Sequence, residues 1–198
     1  MWSIMSQGQR GPESGGNPQL MTPWNVLATA KNHEQGHLAR LLKRFGDFRW
    51  APYLGVLIGR VEDREVFFEQ LRRGEESAPG FLRPLARLVP LDRTFLFTTD
   101  TLIPLLKEEL AGQIDHIGSG TFHVRLERRG HKGVIHSQQI EQELARIVAD
   151  MQAQRGYIHR VDFKDPDLII AIEIVGNECG VGFITKSMRE RYSFVKVP

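Results

Sequence analysis

Apolar residues in the first half of the chain follow helical and strand periods in turn. Leu38, Leu41, Leu42 and Phe45 recur at helical spacing, which predicts a helix over residues 34–45 that ends at Gly46. Apolar runs predict strands at 24–30, 53–61 and 91–97, a second helix at 64–73, and a segment of undetermined type at 81–88. Strands that alternate with helices on this scale indicate a split βαβ unit of the ferredoxin-like type.

The second half shows the same alternation more clearly. Phe122, Val124 and Leu126 alternate with polar residues, which predicts a half-buried strand over 120–126. Ser137 is expected to cap a long helix that reaches residue 154. The remaining patterns predict a helix at 101–111, a strand covered on both faces at 168–175 and a last strand at 181–185.

These elements divide the chain into three segments. Residues 1–20 are rich in Ser, Gln, Gly, Pro and Asn, and cannot bury enough apolar surface to offset their ordering entropy, so a disordered tail is predicted there. A ferredoxin-like domain is expected over 21–99 and a second α/β domain over 100–198. The predicted fold class is therefore α+β.

Composition restricts the compartment and the class of protein that are expected. The chain has 198 residues and a formal net charge of +2, and it contains no block of five or six like charges. Cys179 is the only cysteine, which excludes an intramolecular disulfide and a cysteine-rich zinc site and fits a reducing cytoplasm. No run approaches the roughly 18 apolar residues of a membrane span. A cytoplasmic protein that does not enter a membrane is expected.

Basic side chains concentrate in one short segment after the strand at 120–126. Arg125, Arg128, Arg129, His131 and Lys132 lie within eight residues, and two glycines, at 130 and 133, bracket the turn before a helix start. Positive side chains beside a helix N-terminus favour a phosphate group, the part of a nucleic acid that contributes most to affinity. The alternative is a solvated loop with ordinary surface charge.

Other polar residues give weaker indications of chemistry. Asp162, Asp165 and Asp167 are metal ligands by type, but a lysine lies among them and Pro166 favours a structural turn before the next strand. Glu173 interrupts an apolar strand and would need a partner such as an arginine if it is buried. The histidines match no standard zinc or calcium spacing, and no phosphate-binding loop occurs. No metal, no cofactor and no catalytic residue is expected.

Three long segments of the second half resemble the THUMP domain, an RNA-binding module of tRNA-modifying systems. They are TFHVRLERRGHKG at 121–133, SQQIEQELARIV at 137–148 and VDFKDPDLIIAIEIVGNECGVGFIT at 161–185. The first half resembles the ferredoxin-like domain that precedes this module in the family. The whole arrangement is similar to the stand-alone THUMP proteins of the Tan1 type, which are adaptors for the acetyltransferase that makes N4-acetylcytidine in tRNA.

This resemblance implies an RNA-binding function. It implies that the two domains grip the acceptor region and the single-stranded 3′ end of tRNA, and that a separate modifying enzyme, the acetyltransferase, is a partner. The basic residues in the matching segments are the implied RNA contacts: Arg125, Arg128, Arg129, Lys132, Lys164, Lys186 and, less directly, His131. An aromatic stacking partner is not obvious, because Phe183 and Tyr192 are both expected in the core.

Three hypotheses follow. In the first, the protein is a non-catalytic adaptor that presents tRNA to a separate enzyme, since the residues after the matching segments leave no room for the catalytic domain to which this module is fused in many proteins. In the second, it is a small RNA-acting enzyme that uses the aspartates or histidines. In the third, it is a protein-interaction module that does not bind RNA.

Overall fold

The computed structural model describes residues 23–197, apart from the side chain of His159. The predicted tail at 1–20 lies outside these residues. Two β-sheets, each with its own helices, build the described part of the chain. The α+β fold class is confirmed. Within residues 23–197, no helix combines the length and apolar character needed to cross a membrane.

The first sheet is antiparallel and has the order β2-β3-β1-β4. Its strands are β1 (Val26–Ala30), β2 (Asp47–Trp50), β3 (Val56–Arg60) and β4 (Leu85–Pro90), and its helices are α1 (Gln35–Leu42) and α2 (Arg64–Ser77). The chain order βαββαβ with this strand order is the ferredoxin-like arrangement. The apolar pattern does not predict β2, because this strand has four residues, of which only Phe48 is buried.

The second sheet is mixed and has the order β5-β9-β8-β6-β7. Its strands are β5 (Arg93–Leu96), β6 (Gly120–Arg129), β7 (His159–Val161), β8 (Leu168–Val175) and β9 (Glu178–Thr185). Its helices are α3 (Leu102–Gly112), α4 (Ile114–Ile117), α5 (Ser137–Gln154) and α6 (Lys186–Arg191). Strands β7 and β8 run parallel to β6 on its two sides, whereas β9 is antiparallel to β8 and β5.

The long helix α5 packs on one face of this sheet through Leu144 and Val148, both fully buried. Its start differs from the prediction. His136 holds the N-cap position, and Ser137 is the first helical residue, with no capping hydrogen bond from a side chain at the N-cap. At the other end, Gln152 is buried and its side-chain amide donates to the carbonyl oxygen of Gly118, which ties the helix to the turn before β6.

Strand β5 belongs to the second sheet, which differs from its predicted place in the first domain. It pairs with β9, and Phe95 lies opposite Cys179. The chain changes sheets just before this strand, where the N–H of Leu91 donates to Asn25 of the first sheet and the N–H of Asp92 donates to Val181 of the second. Strand pairing of this kind is non-local, so the alternation pattern of a short strand does not reveal it.

The end of the chain returns to the first sheet. After α6, Tyr192, Phe194 and Val195 are buried in the core of the first sheet, and Val195 forms a parallel bridge with Leu88 of β4. The same core also takes in Ala171 and Val175 of β8. The second face of the larger sheet thus packs against the first sheet and the C-terminal segment, and a cleft at this junction contains the candidate site.

Candidate RNA-binding site

The basic loop after β6 is held by its own structural contacts. His131 has a φ of 51°, and its Nε2 donates to the carbonyl oxygen of Gly176 over 2.9 Å. The His131 ring also lies 5.4 Å from the ring of Phe97. Gly130 has a φ of 105°, and a side chain at this position would meet the hydroxyl of Tyr53 at 2.6 Å. His131 therefore fixes the loop, and the cations that remain are Arg128 and the exposed Lys132.

Arg129 points into the protein, unlike the exposed contact that the sequence predicted. Its Nη1 lies 2.5 Å from Oε2 of Glu173, and the two side chains are 11% and 1% exposed. The partner that a buried Glu173 requires is thus an arginine, as expected. Burial raises the pKa of the Glu173 carboxyl, and the Arg129 guanidinium opposes that rise. Arg129 is consequently removed from the exposed candidate surface.

A cleft of about 430 Å³ opens at the other end of β6, at the junction with the C-terminal segment. It is lined by residues of β6, of the loop before β8, of α6 and of the last residues described: His123, Arg125, Phe163, Lys164, Pro166, Ile169, Arg189, Val195, Lys196 and Val197. The lining includes four cations and no carboxylate. Arg125 lies 3.4 Å from Glu141, whereas Lys164 and Lys196 are exposed and form no ion pair within residues 23–197.

The loop at 162–167 is fixed in place by its aspartates. Oδ1 of Asp162 accepts the N–H groups of Lys164 and Asp165 at 2.8 and 3.2 Å. Oδ2 of Asp167 accepts the N–H and the hydroxyl of Thr121 at 2.9 and 2.7 Å. These hydrogen bonds lower the pKa of both carboxyl groups. The carboxylates therefore have structural partners, as the preferred interpretation of this turn expected.

Lys186 lies beside this loop rather than in the cleft lining. Its ammonium group pairs with the Asp165 carboxylate, and its N–H donates to the carbonyl oxygen of Asp167 over 2.8 Å. The side chain of Arg189, one turn further along α6, donates to the carbonyl oxygen of Pro166. Helix α6 thus holds the loop against the cleft. Within residues 23–197, no three His, Cys, Asp or Glu side chains group as metal ligands would.

An aromatic side chain stands at the rim of the cleft. Phe163 is 75% exposed, and its ring packs edge-on against His123 with 5.0 Å between ring centroids. Burial lowers the pKa of His123, so its imidazole is neutral at neutral pH. Phe183 and Tyr192 are buried at 6% and 4% exposure, as expected. Phe163 therefore supplies the aromatic surface that sequence analysis did not find.

A second cleft, of about 490 Å³, lies against α5 and is also lined by Phe163. It shares His123, Arg125 and Phe163 with the basic cleft. Its other lining residues come from β6, β7 and α5: Val124, Gln138, Glu141, Gln142, Ala145 and Val161. Apart from the shared Arg125 and His123, the polar groups of this cleft are amides and a carboxylate, whereas those of the first are cations.

The structure divides the predicted contacts into separate groups. Arg125 and Lys164 meet in the basic cleft, and Lys186 lies next to it. Arg128 is three residues beyond Arg125 on β6, about 10 Å away at the strand rise of about 3.3 Å per residue, and His131 and Lys132 lie in the loop that follows the strand. The cleft residues that sequence analysis missed are His123, Phe163, Arg189 and Lys196. The sequence does show one sign of this cleft, since Phe163 is an apolar residue inside a charged turn. Nothing in the sequence of α6 or of the C-terminal segment indicates that Arg189 and Lys196 reach the cleft.

Comparison with known proteins gives a family match and similar folds. Residues 102–183 match the family model of the THUMP domain. The chain resembles PH1313 from Pyrococcus horikoshii Ot3, with 12% identity and a TM-score of 0.54 over 80% of this chain and 53% of that one. It also resembles TrmN from Thermus thermophilus, with 20% identity and a TM-score of 0.54 over 81% of this chain and 45% of that one.

A third similar structure is a 4-thiouridine synthetase–RNA complex with bound ATP, with 12% identity and a TM-score of 0.51 over 81% of this chain and 41% of that one. This chain thus spans about half the length of these proteins or less, and the likeness concerns the fold. A search of curated protein sequences gave no match. The family match covers the segment from α3 to β9 that builds most of both clefts. Residues 102–183 of this chain form a THUMP domain.

Proposed function

We propose that this protein is a non-catalytic tRNA-binding adaptor, which holds the acceptor and 3′-end region of tRNA and presents it to a separate modifying enzyme. The observation that carries the proposal is the basic cleft at the junction of the two sheets, with exposed cations and an exposed aromatic ring at its rim. Cations that track a phosphate backbone beside an aromatic stacking surface are the usual elements of a single-strand binding site.

The placement of the charges supports RNA rather than a small anion. Lys164 lies in the loop before β8, Lys196 in the C-terminal segment, and Arg125 and Arg189 on β6 and α6, so the four cations come from four separate parts of the chain. Four cations spread over an open surface match several phosphates better than one. The solved structures of similar fold include a 4-thiouridine synthetase bound to RNA. RNA binding by this chain, and tRNA as the RNA, are inferred from that likeness and from its THUMP domain.

The test of RNA binding is a salt titration of a double variant, Lys164→Ala with Lys196→Ala. Both side chains are exposed and form no ion pair in the part of the chain that the structure describes, so the fold should be unaffected. Loss of two phosphate contacts should flatten the slope of log K against log salt concentration by about 1.4–1.8. The matched control is Arg40→Ala with Lys43→Ala, two exposed cations of the α1 region. An unchanged slope in the cleft variant would contradict the proposal.

The adaptor role is supported by the state of the side chains that could catalyse a reaction, which are held by structural contacts or are buried. The aspartates of the loop at 162–167 accept backbone hydrogen bonds or pair with Lys186. Burial raises the pKa of the Cys179 thiol, which keeps it protonated and unreactive. Nucleoside analysis of tRNA incubated with the purified protein, with and without divalent metal ions, should show no altered nucleoside. Metal-dependent turnover by this chain alone would favour the RNA-acting enzyme instead.

The partner enzyme in this proposal is the acetyltransferase that forms N4-acetylcytidine, as the resemblance to the Tan1 type implies. Reconstitution tests it directly. The enzyme and this protein together should acetylate tRNA, and either alone should be inactive or much slower. A protein that binds no tRNA in gel shifts, with or without the 3′ end, would instead be an interaction module.

A further inference from the structure

The exposed Phe163 lines two neighbouring clefts of different chemistry. The basic cleft has four cations and no carboxylate in its lining, whereas the cleft against α5 has two glutamines and one glutamate beside the shared Arg125. Both clefts share the Phe163–His123 pair as a wall. A nucleotide has the same two parts, an anionic phosphate and a base whose edge carries hydrogen-bonding groups, joined by a sugar.

The exposure of Phe163 is imposed by the loop around it. Oδ1 of Asp162 accepts the N–H groups of the two residues that follow Phe163, and Pro166 of the same loop is buried. Thr121 and Asp167 exchange hydrogen bonds in both directions, because the Asp167 N–H also donates to the threonine hydroxyl over 2.9 Å. The ring of Phe163 is thus held 75% exposed where it lines both clefts, and it is available for stacking by a ligand there.

The polar groups of the second cleft are also held in place. Oε1 of Glu141 accepts the N–H of Leu126 over 2.7 Å and faces Arg125 at 3.4 Å, which fixes the carboxylate at the cleft wall. Gln138 and Gln142 are on the same helix, one turn apart from each other, so their amides can approach one side of a bound base. A carboxylate accepts from an exocyclic amino group, and it repels a carbonyl oxygen at the same position.

We propose that Phe163 stacks on one unpaired nucleobase, which enters the cleft against α5 while its phosphate lies in the basic cleft. Because Glu141 is an acceptor, the site favours a base with an exocyclic amino group, cytosine or adenine, over uracil. This inference rests on the proposed RNA-binding function and specifies one nucleotide subsite of it. His123 packs edge-on against the ring of Phe163 and contributes no positive charge while it is neutral.

The experiment measures binding of fluorescently labelled RNA hexamers of cytidine, adenosine or uridine to the full chain. Wild type should bind the cytidine and adenosine hexamers more tightly than the uridine hexamer. Phe163→Ala should weaken the first two about tenfold, the usual effect of losing one base–aromatic stack, with no change in the salt slope. The matched control is Ile158→Ala, which removes another exposed apolar side chain, 84% exposed, from the same domain and should have no effect.

Two further variants separate stacking from a structural role. Phe163→Trp should retain affinity, and its fluorescence should be quenched when a hexamer stacks on the indole. Glu141→Gln should reduce the preference for cytidine and adenosine over uridine without a comparable loss of overall affinity.

Specific outcomes would overturn the inference. The inference is wrong if Phe163→Ala binds the hexamers as tightly as Ile158→Ala does while the Lys164 and Lys196 variant loses tRNA affinity. The proposed RNA-binding function would then stand without this nucleotide subsite. The inference is also wrong if the tryptophan variant binds hexamers without quenching. If Phe163→Ala binds RNA normally but no longer associates with the modifying enzyme, the ring is a protein contact. Failure of wild type to bind any RNA would refute the proposed function itself.

Discussion

Replacement of Arg129 by methionine tests the interpretation of the basic segment most sharply. By sequence, Arg128 and Arg129 are equivalent neighbours in one Arg-rich stretch. In the structure, Arg129 forms an ion pair with Glu173 at 2.5 Å and is 11% exposed, whereas Arg128 donates to the carbonyl oxygen of Gly130. Replacement of Arg129 should therefore lower the free energy of unfolding, whereas replacement of Arg128 should not.

The magnitude follows from the burial of the pair. Arg129→Met leaves the Glu173 carboxylate 1% exposed and without its hydrogen-bonding partner, and breaking a buried pair in this way costs about 3–5 kcal/mol. Arg87 of β4 also lowers the pKa of Glu173 and partly compensates the charge, so the lower end, about 3 kcal/mol, is expected. At roughly 2–4 °C per kcal/mol for a chain of this size, the melting temperature should fall by about 6–12 °C.

Urea denaturation measures this loss, and a double variant tests its cause. Arg129→Met with Glu173→Leu removes both charges and should recover most of the lost stability, because a well-packed apolar pair can replace a buried ion pair. Arg128→Ala should stay within about 0.5 kcal/mol of wild type. At a temperature where it is folded, Arg129→Met should bind tRNA within twofold of wild type. A stable Arg129→Met with weakened tRNA binding would refute this reasoning.

Three other predictions concern stability alone. Gly36→Ala in α1 should raise the free energy of unfolding by about 0.5 kcal/mol in urea, because the added methyl group meets no atom within 4 Å and the helix gains an alanine; a loss would contradict the helix at this position. Gly182→Ala should lower it by about 1–3 kcal/mol, because the new Cβ would collide with the carbonyl oxygen of Pro90 at the junction of the sheets; a neutral effect would place that junction elsewhere. The lowered pKa values of Asp162 and Asp167 stabilise the fold above the unfolded value of about 3.9, and this contribution is lost as pH falls through the folded values. Below pH 4, the melting temperature of the variant with asparagine at both positions should therefore fall less steeply with pH than that of wild type. Equal dependence on pH in the two proteins would contradict the hydrogen bonds described.

Patterns within one element were sufficient to predict much of the fold. The seven apolar residues of β8, interrupted only by Glu173, and the alternation of β6 over residues 121–126 follow from burial on two faces and on one face of a sheet. The order of helices and strands in the first half likewise predicted the ferredoxin-like unit. Each of these features depends on residues close together in the chain, and the resemblance to THUMP domains added the second fold.

Pairing between distant segments could not be predicted in the same way. The place of β5 depends on β9, about 80 residues later in the chain, and the burial of the C-terminal segment depends on Leu88. The second of these pairings contributes to the basic cleft, since Lys196 of its lining directly follows Val195, which bridges to β4. Arg129 was assigned to the surface because the strand was expected to end at residue 126, whereas β6 continues to Arg129.

Chemical-shift mapping of the full chain with an acceptor-stem RNA that carries a single-stranded 3′ end tests the central claim most directly. Addition of the RNA should shift amide signals in the N-terminal half of β6, in the loop at 162–167 and in the last residues of the chain, around Lys196. The loop around Lys132, at the far end of β6, should shift little. Shifts concentrated at that loop, with the cleft unaffected, would contradict the account.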